Sequence, residues 1–249
     1  MNITVFDTET TSLEKPFCYN IGYCIINTER WDALCKKEFV VEQIWHNPEL
    51  FSSAYYANKR PFYISGMRAK KIHMMKYGYV TQEMIRDFEK YGVEIAFAYN
   101  SSFDEKVFNF NCDWFKCIHP FDTIPIVDIR GFVHNFIVDD TYKAFCERNN
   151  YFTDSGNYST TAETVYKYIT SNTNFIESHT ALDDSIIESE ILKYCVNSGA
   201  DITQTYSIFK SIPRNIKKTW QVIRNKKTIF EFSTTDIKVS KKNGTIKIV

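Results

Sequence analysis

Asp7 and Glu9 stand two apart in Phe6-Asp7-Thr8-Glu9-Thr10-Thr11, where an apolar run meets polar residues. On a strand, residues i and i+2 share a face, so both carboxylates point the same way. Such a pair suits shared binding of a hard cation through oxygen, and burying it without one is costly. The Thr10-Thr11-Ser12 that follows offers hydroxyls and backbone N–H groups to a phosphate or sugar. Taken alone, the motif also fits an exposed polar strand edge.

Two further groups bear on the same chemistry. In Ala98-Tyr99-Asn100-Ser101-Ser102-Phe103-Asp104 an apolar strand breaks at Asn100, and Asp104 falls in the first turn of a helix. The helix dipole favours a carboxylate there, so plain capping is the competing reading. In Glu177-Ser178-His179-Thr180-Ala181-Leu182-Asp183-Asp184, His179 sits at a loop-to-helix junction and Asp184 one turn inside the helix. A lone histidine is more often structural. Together, four acids at strand ends and helix starts with one loop histidine meet the needs of metal-assisted phosphodiester hydrolysis. Two divalent ions about 3.5–4 Å apart would clamp the attacking and leaving oxygens. Histidine, with an ordinary pKa near 6.5, takes a proton from water at neutral pH.

The elements that must position these groups follow from periodicity. Residues 3–9, 19–27, 37–41, 93–99 and an extended piece near 119–129 read as strands. Helical patterns open at Pro48 and at Thr81, the latter as an N-cap, and recur at 103–110, 139–149, 160–170 and 180–197. Strands feeding helices predict an α/β sandwich. From Thr219 the texture changes to short alternating runs at 220–223, 228–232, 236–240 and 245–249, with a hairpin signal at Asn243-Gly244. The expected division is a body at 1–204 and a β-rich extension at 205–249.

Charge divides at the same place. The 249 residues hold 30 basic and 30 acidic side chains, yet residues 205–249 carry 11 basic against 2 acidic. An acidic body suits cations and a basic tail suits polyanions. Lys217, Lys218, Arg224, Lys226, Lys227, Lys241 and Lys242 are placed to track a nucleic-acid backbone. Attachment to a protein partner explains them equally well. No apolar run reaches the roughly 18 residues of a membrane helix, and the N-terminus lacks the basic start of a signal peptide. Seven cysteines, an odd number, read as reduced thiols of a cytoplasmic protein. The stretch from Trp45 through Tyr55, Tyr56, Lys59 and Arg60 to Tyr63 interleaves aromatics with bases, but core packing is the favoured reading. Asp183 reads as an exposed acid or cap; Glu188, one helical turn after Asp184, reads as an acid supporting the metal ligands or, favoured, as part of a solvated face.

The three motifs, in order and spacing, resemble those of the DnaQ-like (DEDDh) 3′-to-5′ exonucleases of the ribonuclease H-like fold, in a style most similar to bacteriophage members. The resemblance covers roughly residues 1–200 and implies a mixed five-stranded sheet flanked by helices. It implies that Asp7, Glu9 and Asp184 hold the Mg²⁺ or Mn²⁺ ion that generates the nucleophile. Asp7 and Asp104 would serve a second ion, and His179 would be the general base. Thr8, Thr10, Thr11, Leu13, Asn100 and Phe103 would meet the 3′-terminal nucleotides, with Leu13 as a wedge against the bases. Two positions depart from the pattern: Ser12 replaces the usual glycine, and Tyr99 replaces the histidine that often precedes Asn100. They bear on substrate fit, since neither is a metal ligand. The implied partner is a single-stranded 3′ end, DNA favoured over RNA, with a polymerase as a partner for the extension. In a phage-encoded protein the compartment would be the host cytoplasm. The rival readings are an exoribonuclease of short RNA or tRNA ends, and a non-catalytic binding subunit that kept the fold.

Overall fold

The computed structural model describes residues 1–208 in full and, within 209–249, the backbone of five short strands. In chain order the elements are β1 (Asn2–Thr10), β2 (Cys18–Asn27), β3 (Asp32–Val41), α1 (Glu42–Trp45), α2 (Pro48–Ser52) and α3 (Arg60–Arg68). Next come β4 (His73–Met75), α4 (Tyr77–Tyr91), β5 (Val93–Ala98), α5 (Ser102–Phe115), β6 (Ile126–Asp128), α6 (Ile129–Phe136), α7 (Asp140–Asn149), α8 (Ala162–Thr170) and α9 (Ala181–Asn197). The strands β7 (Gln204–Thr205), β8 (Arg214–Asn215), β9 (Thr219–Arg224), β10 (Lys227–Ser233), β11 (Val239–Lys242) and β12 (Thr245–Ile248) follow.

The main sheet is mixed, in the order β4-β3-β2-β1-β5-β6. β1, β2 and β3 pair antiparallel, while β5 runs parallel to β1 and β6 to β5. The five expected strands are joined by a sixth, the three-residue β4 parallel to β3 at the edge. β6 is shorter than expected at 126–128, because Pro120 and Pro125 cannot donate to a ladder.

Alternation along β1 divides the core in two. Ile3 and Val5 enter an apolar cluster with Phe97, Phe132 and Leu192, whereas Phe6 enters another with Ile21, Phe108 and Phe121. α9 packs across β1 and β2 on the first side, and α5 lies on the second. Period two therefore sends Asp7 and Glu9 toward α9, and Thr8 toward α5.

Thr81 does not cap a helix. α4 starts a turn earlier at Tyr77, whose N–H donates to Gln43 Oε1 at 3.0 Å, because Tyr77 and Val80 are both needed in the core. Thr81 is buried, with its hydroxyl donating to the Gly78 carbonyl. α6 was not anticipated by periodicity; Asp128 caps it by accepting from Arg130 N at 2.9 Å.

Beyond α9, Tyr206 packs edge-on against Phe132 and Phe136 of α6. Gly131 permits this, since a Cβ there would lie 1.9 Å from the Tyr206 carbonyl oxygen. β9 to β12 form a four-stranded sheet in the order β11-β12-β10-β9. Lys242 pairs with Thr245 across β11 and β12, but Asn243-Gly244 itself lies outside the described residues, as do Lys217, Lys218, Lys226 and residues 236–238. No helix among the described residues is long and apolar enough to cross a membrane.

Candidate active site

Close contact between α9 and β2 builds the site. Gly22 pairs with Asp7 in the ladder, and a Cβ on it would lie 2.0 Å from Leu182 N and 2.2 Å from the Ala181 carbonyl carbon. Only a glycine lets the helix start rest there. Asn20, fully buried, secures the same helix end: its Oδ1 accepts from Ala181 N at 2.9 Å and from the Tyr63 hydroxyl at 3.0 Å. Its Nδ2 donates to Glu38 Oε1 and the Phe39 carbonyl. Neither residue was singled out by motif, although a lone glycine inside an apolar strand is a recognised sign of close backbone approach.

α9 buries Ala181, Asp184, Ser185, Glu188, Ile191, Leu192 and Cys195 along one stripe. Asp184 and Glu188 are thus two acids, one turn apart, in an otherwise small and apolar face. Glu188 does not lie on a solvated face: it is 4 % exposed, and its Oε2 accepts from Tyr99 N at 3.2 Å. Asp183 points outward and accepts from the Ser178 and Thr180 hydroxyls rather than capping a backbone N–H.

Asp104 arrives from the first turn of α5 and is buried. The Thr8 hydroxyl donates to its Oδ1 at 2.7 Å. Thr8, on the opposite face of β1 from Asp7, therefore spends its hydroxyl hydrogen on holding an acid in place. Thr11 is likewise buried, and its N–H donates to the Phe17 carbonyl at 3.0 Å. Phe103 packs against the Phe6 side of the core. Of the expected substrate contacts, Leu13 is 73 % exposed, Thr10 is half-buried, and Asn100 is exposed with its Oδ1 accepting from Arg130.

His179 adopts a left-handed backbone with φ +50°, as Asn100 does with φ +61°, so two of the three site loops turn on such residues. The His179 ring stacks on Tyr56, with centroids 4.2 Å apart and planes 13° apart. Its Nδ1 lies 3.8 Å from Glu177 Oε2. The aromatic-basic stretch therefore divides: Trp45 and Tyr63 are core, Tyr55 is 87 % exposed, and Tyr56 covers the histidine.

The electrostatics are those of crowded, desolvated acids. Burial, then the charges of Asp104, Glu188, Glu9 and Asp184, hold Asp7 well above the usual carboxylate range. Burial and Asp184 push Glu9 up to about 9, and burial with Glu177 and Asp183 pushes Asp184 up to about 8. Burial raises Asp104 to about 7 against the pull of Thr8. Glu188 is raised by burial and by Asp104 and Asp184. His179 is shifted down, by burial and by Lys59.

These residues fit divalent metal ions. Ligand atoms of Glu9, His179 and Asp184 lie within 4.8 Å of one another. Asp184 Oδ1 is buried with no hydrogen-bond partner among the described residues. No described Lys or Arg forms a salt bridge with Asp7, Glu9, Asp104 or Asp184, so a divalent cation would supply the counter-charge that lets them ionise. A second grouping, Glu163, Glu177 and His179, is different: Lys167 already pairs with Glu163 at 2.5 Å.

No family model matches the chain, and no curated protein matches it. Solved structures do. One is a 3′-exonuclease in 3′-end-specific recognition of a histone mRNA stem-loop, with TM-score 0.59 and 14% identity over 94% of this chain and 90% of that one. A full-length 3′-exonuclease gives TM-score 0.57 and 12% identity over 86% and 90%. The nuclease domain of 3′hExo, a DEDDh family member bound to rAMP, gives 0.52 and 14% over 80% and 92%. At these identities the likeness establishes the fold: a ribonuclease H-like α/β architecture shared with 3′-exonucleases.

Proposed function

We propose that the chain is a metal-dependent 3′-to-5′ exonuclease of the DEDDh type, cleaving single-stranded 3′ ends and releasing nucleoside 5′-monophosphates. The observation that carries this reading is the convergence of Asp7, Glu9, Asp104 and Asp184 around one cluster, with an unpartnered buried Asp184 oxygen and a histidine at its rim. Asp7, Glu9, Asp104 and Asp184 would hold two divalent ions, Mg²⁺ or Mn²⁺. Such ions supply Lewis acidity for water activation and charge for the leaving 3′ oxygen. The lowered pKa keeps His179 neutral near pH 7, so the ring accepts the proton of the attacking water. Tyr56 stacks on one face of that ring and restricts its plane. The exposed Leu13 bears on the terminal bases, and only an unpaired 3′ end reaches the scissile position.

DNA is the favoured polymer in this reading. RNA is the second, because two of the similar structures concern rAMP and an mRNA stem-loop. We take residues 1–204 as the exonuclease domain of a phage-type, cytoplasmic enzyme. We take residues 205–249 as the basic extension, where a polymerase or the substrate backbone would engage; Tyr206 near its start packs on Phe132 of α6. The test is a 5′-labelled single strand, as DNA and as RNA, with Mg²⁺, Mn²⁺ or chelator, beside Asp7→Ala. A metal-dependent ladder shortening from the 3′ end, absent in the variant, is the expected result. No digestion of either polymer by folded, metal-supplied protein overturns the reading.

A further inference from the structure

Beyond Asp104 the outer face of α5 and its C-cap form an open, shallow groove of about 900 Å³, where Ser102, Lys106, Asn109, Phe110, Trp114 and Lys116 line the surface together with Glu105 and Asp113. It starts on the helical turn that carries Asp104 and ends at the helix C-terminus. Trp114 is 61 % exposed. Its ring lies 20° from parallel to Phe110, at 6.1 Å, and edge-on to Phe17 at 5.1 Å. A large ring so held, with a face turned to water, is a stacking platform awaiting a flat partner.

The near end of the groove is tied to the loop that carries Leu13. Lys106 Nζ donates to the Leu13 carbonyl at 2.9 Å. Asn111 Nδ2 donates to the Pro16 carbonyl at 2.7 Å, and its Oδ1 accepts from Cys18 N at 3.1 Å. The groove is therefore continuous with the surface assigned above to the 3′-terminal nucleotide. Lys106 and Lys116 are matched by Glu105 and Asp113, so no net positive charge runs along it. It suits the faces of unpaired bases better than a track of phosphates or a duplex.

We propose that this groove holds the nucleotides on the 5′ side of the scissile bond, with one base stacked on Trp114. The proposal rests on the exonuclease reading and adds a strand path to it. Trp114 follows Asp104 by ten residues on α5, about 15 Å at ~1.5 Å per residue, which at ~3.4 Å per stacked nucleotide places it about four or five nucleotides from the cut.

The test compares single-stranded oligonucleotides of about 3 and 12 nucleotides on the full chain with Mn²⁺, in wild type, Trp114→Ala and Trp114→Phe. Wild type is expected to bind the longer strand roughly 5- to 160-fold better, as KM, from a single stacked base. Trp114→Ala loses that preference and Trp114→Phe keeps part of it. An equal length preference in wild type and Trp114→Ala overturns the strand path and leaves the face to a protein partner. If neither strand is hydrolysed, the exonuclease reading falls, and the groove is judged by binding alone. The longer strand must then bind wild type more tightly than Trp114→Ala in fluorescence anisotropy, and equal affinity overturns it.

Discussion

The rings of Tyr56 and His179 lie 4.2 Å apart and within 13° of parallel, so the histidine at the rim of the acidic cluster is held on one face by an aromatic plane. Tyr56 comes from the segment between α2 and α3, remote in sequence from the acids. The contact restricts an imidazole whose backbone already sits in the left-handed region.

Removing that plane is expected to slow turnover without weakening substrate binding. An aromatic contact of this kind contributes about 0.5–1.5 kcal/mol, so Tyr56→Ala lowers kcat by about 2- to 13-fold with KM nearly unchanged. Tyr56→Phe restores most of the rate. Steady-state kinetics on a short single strand separates this from a general loss of fold, which would lower both variants.

Asp7→Ala is expected to abolish turnover, because Asp7 stands among all the other site acids. His179→Ala should slow it by about 10²–10⁴ at neutral pH, the worth of a general base. Calorimetric titration with Mn²⁺ checks the division of labour: the first variant loses binding and the second largely keeps it.

The metal-free protein is expected to lose stability as pH rises. Asp104, Asp184 and Glu9 sit at about 7, 8 and 9 when folded, above their ordinary values. A folded-state pKa raised in this way gives stability that is present below about pH 4 and is lost as pH climbs toward 9. Tm in chelator should therefore fall across that window, and added Mn²⁺ should raise Tm most at its upper end. A flat Tm in chelator, with no metal effect, refutes the assignment. Glu188→Gln should lift the chelated Tm at the upper end of that window, where ionising this buried acid beside Asp104 and Asp184 would otherwise oppose folding.

Gly22→Ala is expected to cost about 1–3 kcal/mol from overpacking, and to cost activity as well, because α9 must shift and carry Asp184 with it. Asn20→Ala strands the Ala181 N–H and the Tyr63 hydroxyl in a buried site, at about 1–3 kcal/mol. Urea unfolding with parallel activity assays reads both effects.

The legibility of these features differed for physical reasons. Asp7 and Glu9 could be read because strand parity fixes their common face, and Asp104 and Asp184 because helix starts have recognisable residues. Glu188 is ambiguous in the sequence: an acid one turn after Asp184 fits a wet face as well as a buried stripe. Only the company of Ser185, Ile191, Leu192 and Cys195 on that stripe decides the matter. The tie from Thr8 to Asp104 is not legible in the sequence, because the two lie 96 positions apart. Tyr56 had no periodic signal at all, standing in an irregular segment whose aromatic neighbours Trp45 and Tyr63 went to the core. The sixth strand was missed because three residues of β4 carry no measurable alternation.

The placement of Asp7, Thr8 and Glu9 on alternate faces of β1 ties catalysis to strand register. A slip of one residue against β2 would turn Ile3 and Val5 out of one apolar cluster and Phe6 out of the other. It would also present Thr8 and Thr10 to α9 in place of the two acids. Misregistered chains are therefore both poorly packed and without the paired carboxylates. Quality control that discards badly folded molecules would by the same act remove inactive ones, with no separate proofreading of the site.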